Sequence, residues 1–330
     1  MGIDDRMKAM RFERPEAIPV SVGILPAAWM KYRERLDEIV ARHPVVFGPK
    51  KPRRDYDAVV GATYAQGEHT DAWGCVWSNV RNGMEAIVTR HPVPTREAVH
   101  SLRAPAEDTG FRHGFMFLRL CDLRGWNEMM MDFAEEPPEL LMLIDIVLEY
   151  NLRQAKRRLA TLRAPQIVVF GDDLGMQNSL PISPAAWRKY LKPCYARIYK
   201  PFRDAGHYVY MHSDGHILEI IGDLVECGVN VINPQFRANG LEGLAAVCKG
   251  MCKGACKSVC KYKVCVDLDL DRQLFPFCSP AVIDAHVRES VEKLGSPEGG
   301  LWLKAEIGPD VPLENIEAIC AALEKYRLLT

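Results

Sequence analysis

Residues 208–235 read YVYMHSDGHILEIIGDLVECGVNVINPQ, and this stretch decides the fold class. Tyr208 to Met211 is a short β-rich run, Ile217 to Cys227 carries apolar residues at three-to-four spacing, and Val229 to Ile232 is again β-branched. A strand, a helix and a second strand in that order form a βαβ unit, whose crossover helix makes the two strands parallel. Each strand also ends in polar residues, His212 to Asp214 after the first and Asn233 to Gln235 after the second.

Outward from this unit the alternation continues. Gln166 to Phe170, Val264 to Leu268 and Leu301 to Lys304 read as further strands. Pro184 to Asp204, Gly240 to about Cys260, Pro280 to Leu294 and Leu313 to Arg327 read as helices. Ser183-Pro184 and Ser279-Pro280 mark helix starts, a capping serine followed by proline at the first helical position. Nearer the N-terminus Ile18 to Leu25 and Phe115 to Leu120 read as strands. Pro137 to Arg163 reads as a long helix with Leu140, Leu141, Ile144, Val147 and Leu148 on one face. Seven strands with intervening helices in 330 residues predict a (β/α)8 TIM-type barrel, a single domain over residues 1–330. Residues 41–113 are expected to form an elaborated insertion or cap over the barrel mouth. No glycine-rich dinucleotide fingerprint follows any strand, which argues against a doubly wound sheet.

Composition narrows the function. Lys and Arg total 42 against 43 Asp and Glu, a net charge of -1, so there is no basic excess to neutralise a nucleic acid. The longest apolar stretch, Leu140 to Leu148, is interrupted by Asp145 and falls short of the roughly 20 residues of a membrane helix. Residues 1–14 are rich in charge and lack an apolar secretion core, so a cytoplasmic address and reduced thiols for the 11 cysteines are expected.

In a barrel the chemistry gathers where the strands end. Those ends supply Asp172 and Asp173, His212 and Asp214, Asn233 and Gln235, Asp267, and Glu306. His212 and Asp214, two apart on an extended chain, point to one face and can converge on one ion; Glu306 is the candidate third ligand. Alternatively, Asp214 caps the next helix and His212 is a hydrogen-bonded barrel residue. Asp172 and Asp173 are candidate catalytic acids or bases beside His212. Arg119, on the expected strand with Phe115 and Phe117, is a candidate anion contact, and Trp73 a candidate pocket wall with Trp77; core packing accounts for the tryptophans equally well. Cys248, Cys252, Cys256 and Cys260 form a Cys-Lys repeat at helical spacing, read as a surface extension of a helix rather than a cluster site.

The segment from His212 to Gln235 resembles the His-x-Cys-Gly segment of the uroporphyrinogen decarboxylase superfamily, in particular its corrinoid-dependent methyltransferase branch. Asp71 to Trp77, Leu123 to Trp126, Gly171 to Gly175 and Pro309 to Ile316 are similar to that branch in the same order. The resemblance implies a (β/α)8 barrel and a zinc-assisted methyl transfer. Two departures shape the expectation. The decarboxylases' Arg-Gln-Ala-Gly-Arg stretch has no counterpart between Met1 and Tyr64, which argues against tetrapyrrole decarboxylation. The methyltransferases' cysteine ligands are also missing: His212-x-Asp214 stands for His-x-Cys, and no cysteine lies near Glu306. An oxygen-rich site favours a more Lewis-acidic zinc, suited to polarising an ether oxygen. The chain also lacks an Asp-x-His-x-x-Gly corrinoid motif, so the expected corrinoid would arrive on a partner protein. The expected function is methyl transfer between a methyl ether and that cobalt. Transfer from methyl-corrinoid to a thiol or pterin, decarboxylation, and delivery without turnover are the competing readings.

Overall fold

The computed structural model describes residues 3–49, 55–59, 61–106, 110–163, 165–249 and 263–328. Nine strands occur among them: β1 Val20–Ile24, β2 Gly67–Thr70, β3 Val76–Asn79, β4 Ile87–Arg90, β5 Ile167–Gly171, β6 Tyr208–Ser213, β7 Val229–Pro234, β8 Cys265–Asp269 and β9 Leu301–Ile307. Six form one sheet in the order β1-β9-β8-β7-β6-β5, and β2-β3-β4 form a second, small sheet. The fold is therefore α/β, with six strands in its main sheet among the described residues rather than the expected eight.

One expected strand is a helix. Phe115 to Leu120 alternates like a strand, yet Phe117–Arg124 is helical and buries Phe117, Leu120, Cys121, Leu123 and Arg124. The alternation of Phe115 and Phe117 is short enough to fit either period, and a tertiary contact decides between them. That contact is Asp172, at the end of β5. Its carboxylate accepts hydrogen bonds from the backbone N–H groups of Met116 (3.0 Å), Phe117 (2.6 Å) and Leu118 (2.9 Å). These are the donors that a helix leaves unsatisfied in its first turn, so a side chain 55 residues away supplies the cap.

The chain divides into two compact units. The first gathers residues 1–66, 79–85 and 233–330. In it β1 pairs with β9 in parallel from Val20↔Leu303 to Ile24↔Ile307, and β8 pairs with β9 from Val266↔Leu301 to Asp269↔Lys304. Every residue of β8 is buried, as expected of a parallel strand covered on both faces. The helices Pro280–Leu294 and Leu313–Tyr326 pack together, with Ile283, Val287, Ile319 and Leu323 in the core.

The second unit gathers residues 67–78 and 86–232. Its β5 and β6 pair in parallel from Ile167↔Tyr208 to Gly171↔His212. Beside them lies an aromatic core: Phe170 meets Tyr199 at 4.9 Å and Phe115 at 5.4 Å, and Tyr195 meets Phe115 at 5.6 Å between ring centres. Residues 184–204, expected as one helix, contain a π turn at Trp187–Leu191, where the Lys192 N–H bonds to the Trp187 carbonyl. Pro193 follows and has no N–H, so the ordinary ladder is broken at that point. Ser183 accepts from the Ala186 N–H at 3.1 Å, the expected cap, whereas Ser279 makes no side-chain cap. The insertion residues 67–90 hold the small sheet, whose β3 and β4 are antiparallel. No helix among the described residues is long and apolar enough to cross a membrane.

Removing the carboxylate at position 172 should leave three backbone donors and the Tyr195 hydroxyl unpaired in the interior. Asp172→Ala is expected to lower the unfolding free energy by about 3 kcal/mol, and Tyr195→Phe by about 1 kcal/mol, in urea titrations. An Asp172→Ala variant with the parent's midpoint would show that the remote cap does not stabilise the fold.

Candidate metal centre

The polar ends of β5 and β6 meet because their backbones touch. The amide of Asp172 donates to the His212 carbonyl at 3.0 Å, that of Gly175 to the Asp214 carbonyl at 3.2 Å, and that of His216 to the Met176 carbonyl at 2.7 Å. Glycine is required at two of these positions. A Cβ on Gly215, whose φ is +80°, would lie 2.2 Å from the carbonyl carbon of Gly175, and one on Gly175 would lie 2.4 Å from the His216 nitrogen.

Against this frame stand four side chains. His113 Nε2 lies 3.0 Å from Asp173 Oδ2, and His212 Nε2 lies 3.9 Å from Asp173 Oδ1. Asp214 Oδ1 is 3.3 Å from His212 Nε2, and the Asp214 backbone N–H donates to Asp173 Oδ1 at 2.8 Å. The imidazole rings are 5.5 Å apart. Ligand atoms of His113, Asp173 and His212 all lie within 4.8 Å of one another, the nitrogen and oxygen set that a divalent cation such as zinc takes. His113 is half exposed, and His212 and Asp173 are partly so, which leaves an approach for a further ligand.

Sequence reasoning found three members of this group and missed the fourth. Asp173, His212 and Asp214 follow from the strand-end rule. His113 precedes the helix that was expected to be a strand, and it reaches the group through a glycine. Gly171 has no Cβ; one placed there would lie 2.6 Å from His113 Nδ1. The Gly114 N–H donates to the Gly171 carbonyl at 2.8 Å, fixing the loop on the strand end. The signal was the glycine at the end of β5, legible only with the loop in place.

The other expected site residues have different surroundings. Asp172, expected as an acid or base, is fully buried, and its lone pairs are taken by the helix cap and by Tyr195 Oη at 2.6 Å. Burial pushes its carboxyl up, while Tyr195, Leu118 and Phe117 pull it down. Glu306 lies in the other unit and accepts from Arg272 Nη1 at 2.5 Å. Asn233 is buried and donates from Nδ2 to the Asp267 carbonyl at 2.5 Å, and Lys304 Nζ reaches its Oδ1 at 3.4 Å. Asp267 is buried on β8, and Gln235 bridges to Asp269.

Arg119 is helical, not on a strand, and it is spent on a buried network. Its Nη1 lies 2.9 Å from Asp71 Oδ2 and 3.6 Å from Asp122 Oδ2. Asp71 also accepts from Trp77 Nε1 at 3.1 Å. Trp73 is buried and packs edge-on against Tyr150 at 4.9 Å, beside a cavity of about 10 Å³, the room of one water. Burial pushes the Cys75 thiol up to about 12 and that of Cys248 likewise to about 12, so neither is a ready thiolate. Cys252, Cys256 and Cys260 lie outside the described residues.

The family model for uroporphyrinogen decarboxylase (URO-D) matches residues 118–326, well over half of the chain. The chain belongs to the uroporphyrinogen decarboxylase family. No curated protein matches it. Among solved structures it is similar to a methyltransferase from Methanosarcina mazei, with a TM-score of 0.61 and 17% identity, over 97% of this chain and 98% of that one. At that identity the likeness is one of fold. The match to the uroporphyrinogen decarboxylase family takes in Asp173, His212 and Asp214 but begins after His113.

Cobalt(II) added to the metal-free protein should give visible d–d absorption at about one equivalent. His212→Ala and Asp173→Ala should abolish it, and Gly171→Ala should weaken binding by pushing His113 aside; an unchanged spectrum in all three would disprove the cluster. A second test concerns the Arg119 network. Burial pushes the Asp122 carboxyl up to about 6, with Arg119 pulling it back. A carboxyl raised above its unfolded value of about 3.9 stabilises the fold below that pH and loses the contribution as pH rises through 6, at most about 3 kcal/mol. Asp122→Asn should therefore flatten the fall in stability between pH 4 and about 6, as read by thermal melts.

Proposed function

We propose that this protein is a methyltransferase that moves a methyl group between an oxygen-linked donor, a methyl ether, and the cobalt of a corrinoid carried by a separate protein. The observation that carries the reading is the group of His113, Asp173, His212 and Asp214 at adjoining strand ends. Family membership and the fold shared with a methyltransferase support it. The donor set fits zinc, with His113, Asp173 and His212 as its holders and Asp214 at the side of His212. Bound there, the ion would supply Lewis acidity toward an ether oxygen, which makes the departing oxygen a better leaving group.

The chain's own residues account for the rest. Asp173 orients both partners at once, one oxygen on His113 Nε2 and the other on the Asp214 amide, so its carboxylate is fixed before any substrate arrives. Asp214 Oδ1, 3.3 Å from His212 Nε2, would place a further oxygen beside the ion that this ring holds. Nitrogen and oxygen donors, with no thiolate among them, favour the ether side of the reaction over activation of a thiol acceptor.

The test is spectroscopic. The zinc-loaded protein, a corrinoid protein reduced to Co(I) and a panel of methoxylated compounds should yield methyl-Co(III), seen by absorbance, with no carbon dioxide released from uroporphyrinogen. His212→Ala and Asp173→Ala should lower the rate by about a hundredfold or more, the usual cost of losing a metal ligand or its orienting partner. Glu306→Ala should retain the metal. Failure of every methyl ether, with methyl passing from the corrinoid to a thiol or pterin instead, would transfer the role to the acceptor side.

A further inference from the structure

The first unit holds a concavity with chemistry of its own. A cavity of about 760 Å³ opens at the ends of β1, β8 and β9, with apolar walls from Leu25, Met84, Pro276, Phe277 and Val311. That size is typical of sites for small organic ligands. The walls are braced from behind: Lys31 Nζ donates to the Pro309 carbonyl at 2.6 Å and Tyr32 Oη to the Val311 carbonyl at 2.7 Å. Phe277 is 88% exposed among the described residues, a large apolar ring at the rim of the cavity.

The polar lining differs from these walls. Arg272 is engaged with Glu306 at 2.5 Å. Arg237 is gripped along one edge: Nε lies 3.0 Å from Asp271 Oδ1 and Nη2 lies 2.6 Å from Asp271 Oδ2. Asp271 is itself buried and anchored, since its N–H donates to His286 Nε2 at 3.1 Å and its Oδ1 accepts from the Gln273 N–H at 3.1 Å. Burial lowers His286 to about 4, so near neutral pH it is the neutral acceptor this arrangement needs. The result is a planar guanidinium held in one orientation, with the Nη1 amino group not used by Asp271.

We propose that this cavity binds an organic carboxylate with a flat apolar body, its carboxylate on the Nη1 edge of Arg237 and its body against Phe277, Pro276 and Leu25. A fixed fork of N–H donors suits a carboxylate, and the surrounding apolar surface is covered only when a ring follows it in. The site stands on the first unit alone and does not depend on methyl transfer.

Two probes of one shape test it, 2-naphthoate and its neutral counterpart 2-naphthamide, titrated into the full chain and followed by naphthalene fluorescence. The acid should bind about tenfold more tightly than the amide, the worth of one charge-assisted hydrogen bond. Arg237→Gln should erase that preference and leave the amide unchanged. Phe277→Ala, at an exposed position that folding does not need, should weaken both probes by about threefold, in line with partial loss of one aromatic wall. Equal binding of acid and amide, no saturable binding of either, or a preference that survives Arg237→Gln would overturn the proposal. Should Arg237→Gln fail to fold, the acid-to-amide ratio of the parent and the Phe277→Ala series decide alone.

Discussion

The arrangement of the second unit depends on one buried carboxylate. Asp172 ends β5, starts the helix Phe117–Arg124 and ties in Tyr195 from the helix Lys192–Asp204. An ionised group without partners in such a place would be costly, and here four donors replace the lost water. The same bonds set the position of the loop before the helix, and that loop carries His113. A structural carboxylate and a candidate ligand are thus neighbours in sequence, Asp172 and Asp173, with opposite tasks: one is buried under the helix cap and the other faces His113.

Close backbone approach is the second constraint. The segment after β5 and the segment after β6 run against each other through shared amides, and glycine at positions 175 and 215 makes the approach sterically feasible. Gly171 does the same for the ring of His113. Three absent side chains therefore make room for two histidines and two aspartates, which hydrogen bonds between the loop before the helix, the end of β5 and the end of β6 hold together. The cluster is rigid where it touches backbone, through the Asp214 amide, and open where His113 faces solvent.

Two buried arginines are consumed by neighbouring acids. Arg119 is shared by Asp71 and Asp122, and Asp132 by Arg96 at 2.7 Å and Arg124 at 2.8 Å. Such pairs compensate their own desolvation and leave little reactivity. Arg237 differs because Asp271 occupies only one edge of it and because it lines a cavity. Burial of a charged group is therefore a poor guide to function in this molecule, and the better guide is which donors or acceptors remain after the structural bonds are counted.

The sequence by itself determined the α/β class, the six strands of the main sheet to within a few residues, and helices after them, of which the one expected from Gly240 to about Cys260 is described only over Leu241–Lys249, because apolar periodicity and serine-proline starts are local signals. It also named Asp173, His212 and Asp214 among the strand-end candidates, because parallel strands end at one edge and residues two apart share a face, but it paired His212 and Asp214 with Glu306 rather than with Asp173. The resemblance carried by His212 to Gln235 led to the family that the comparison identified. Only the tertiary structure decided that Phe117–Arg124 is a helix, since its cap comes from Asp172 across the fold rather than from its own flank. Only it brought in His113, whose place depends on the missing Cβ of Gly171. The same is true of Asp172, Asn233 and Arg119: a residue type announces what a side chain can do, but its bonding partners, set by distant parts of the chain, decide whether that capacity is spent on the fold.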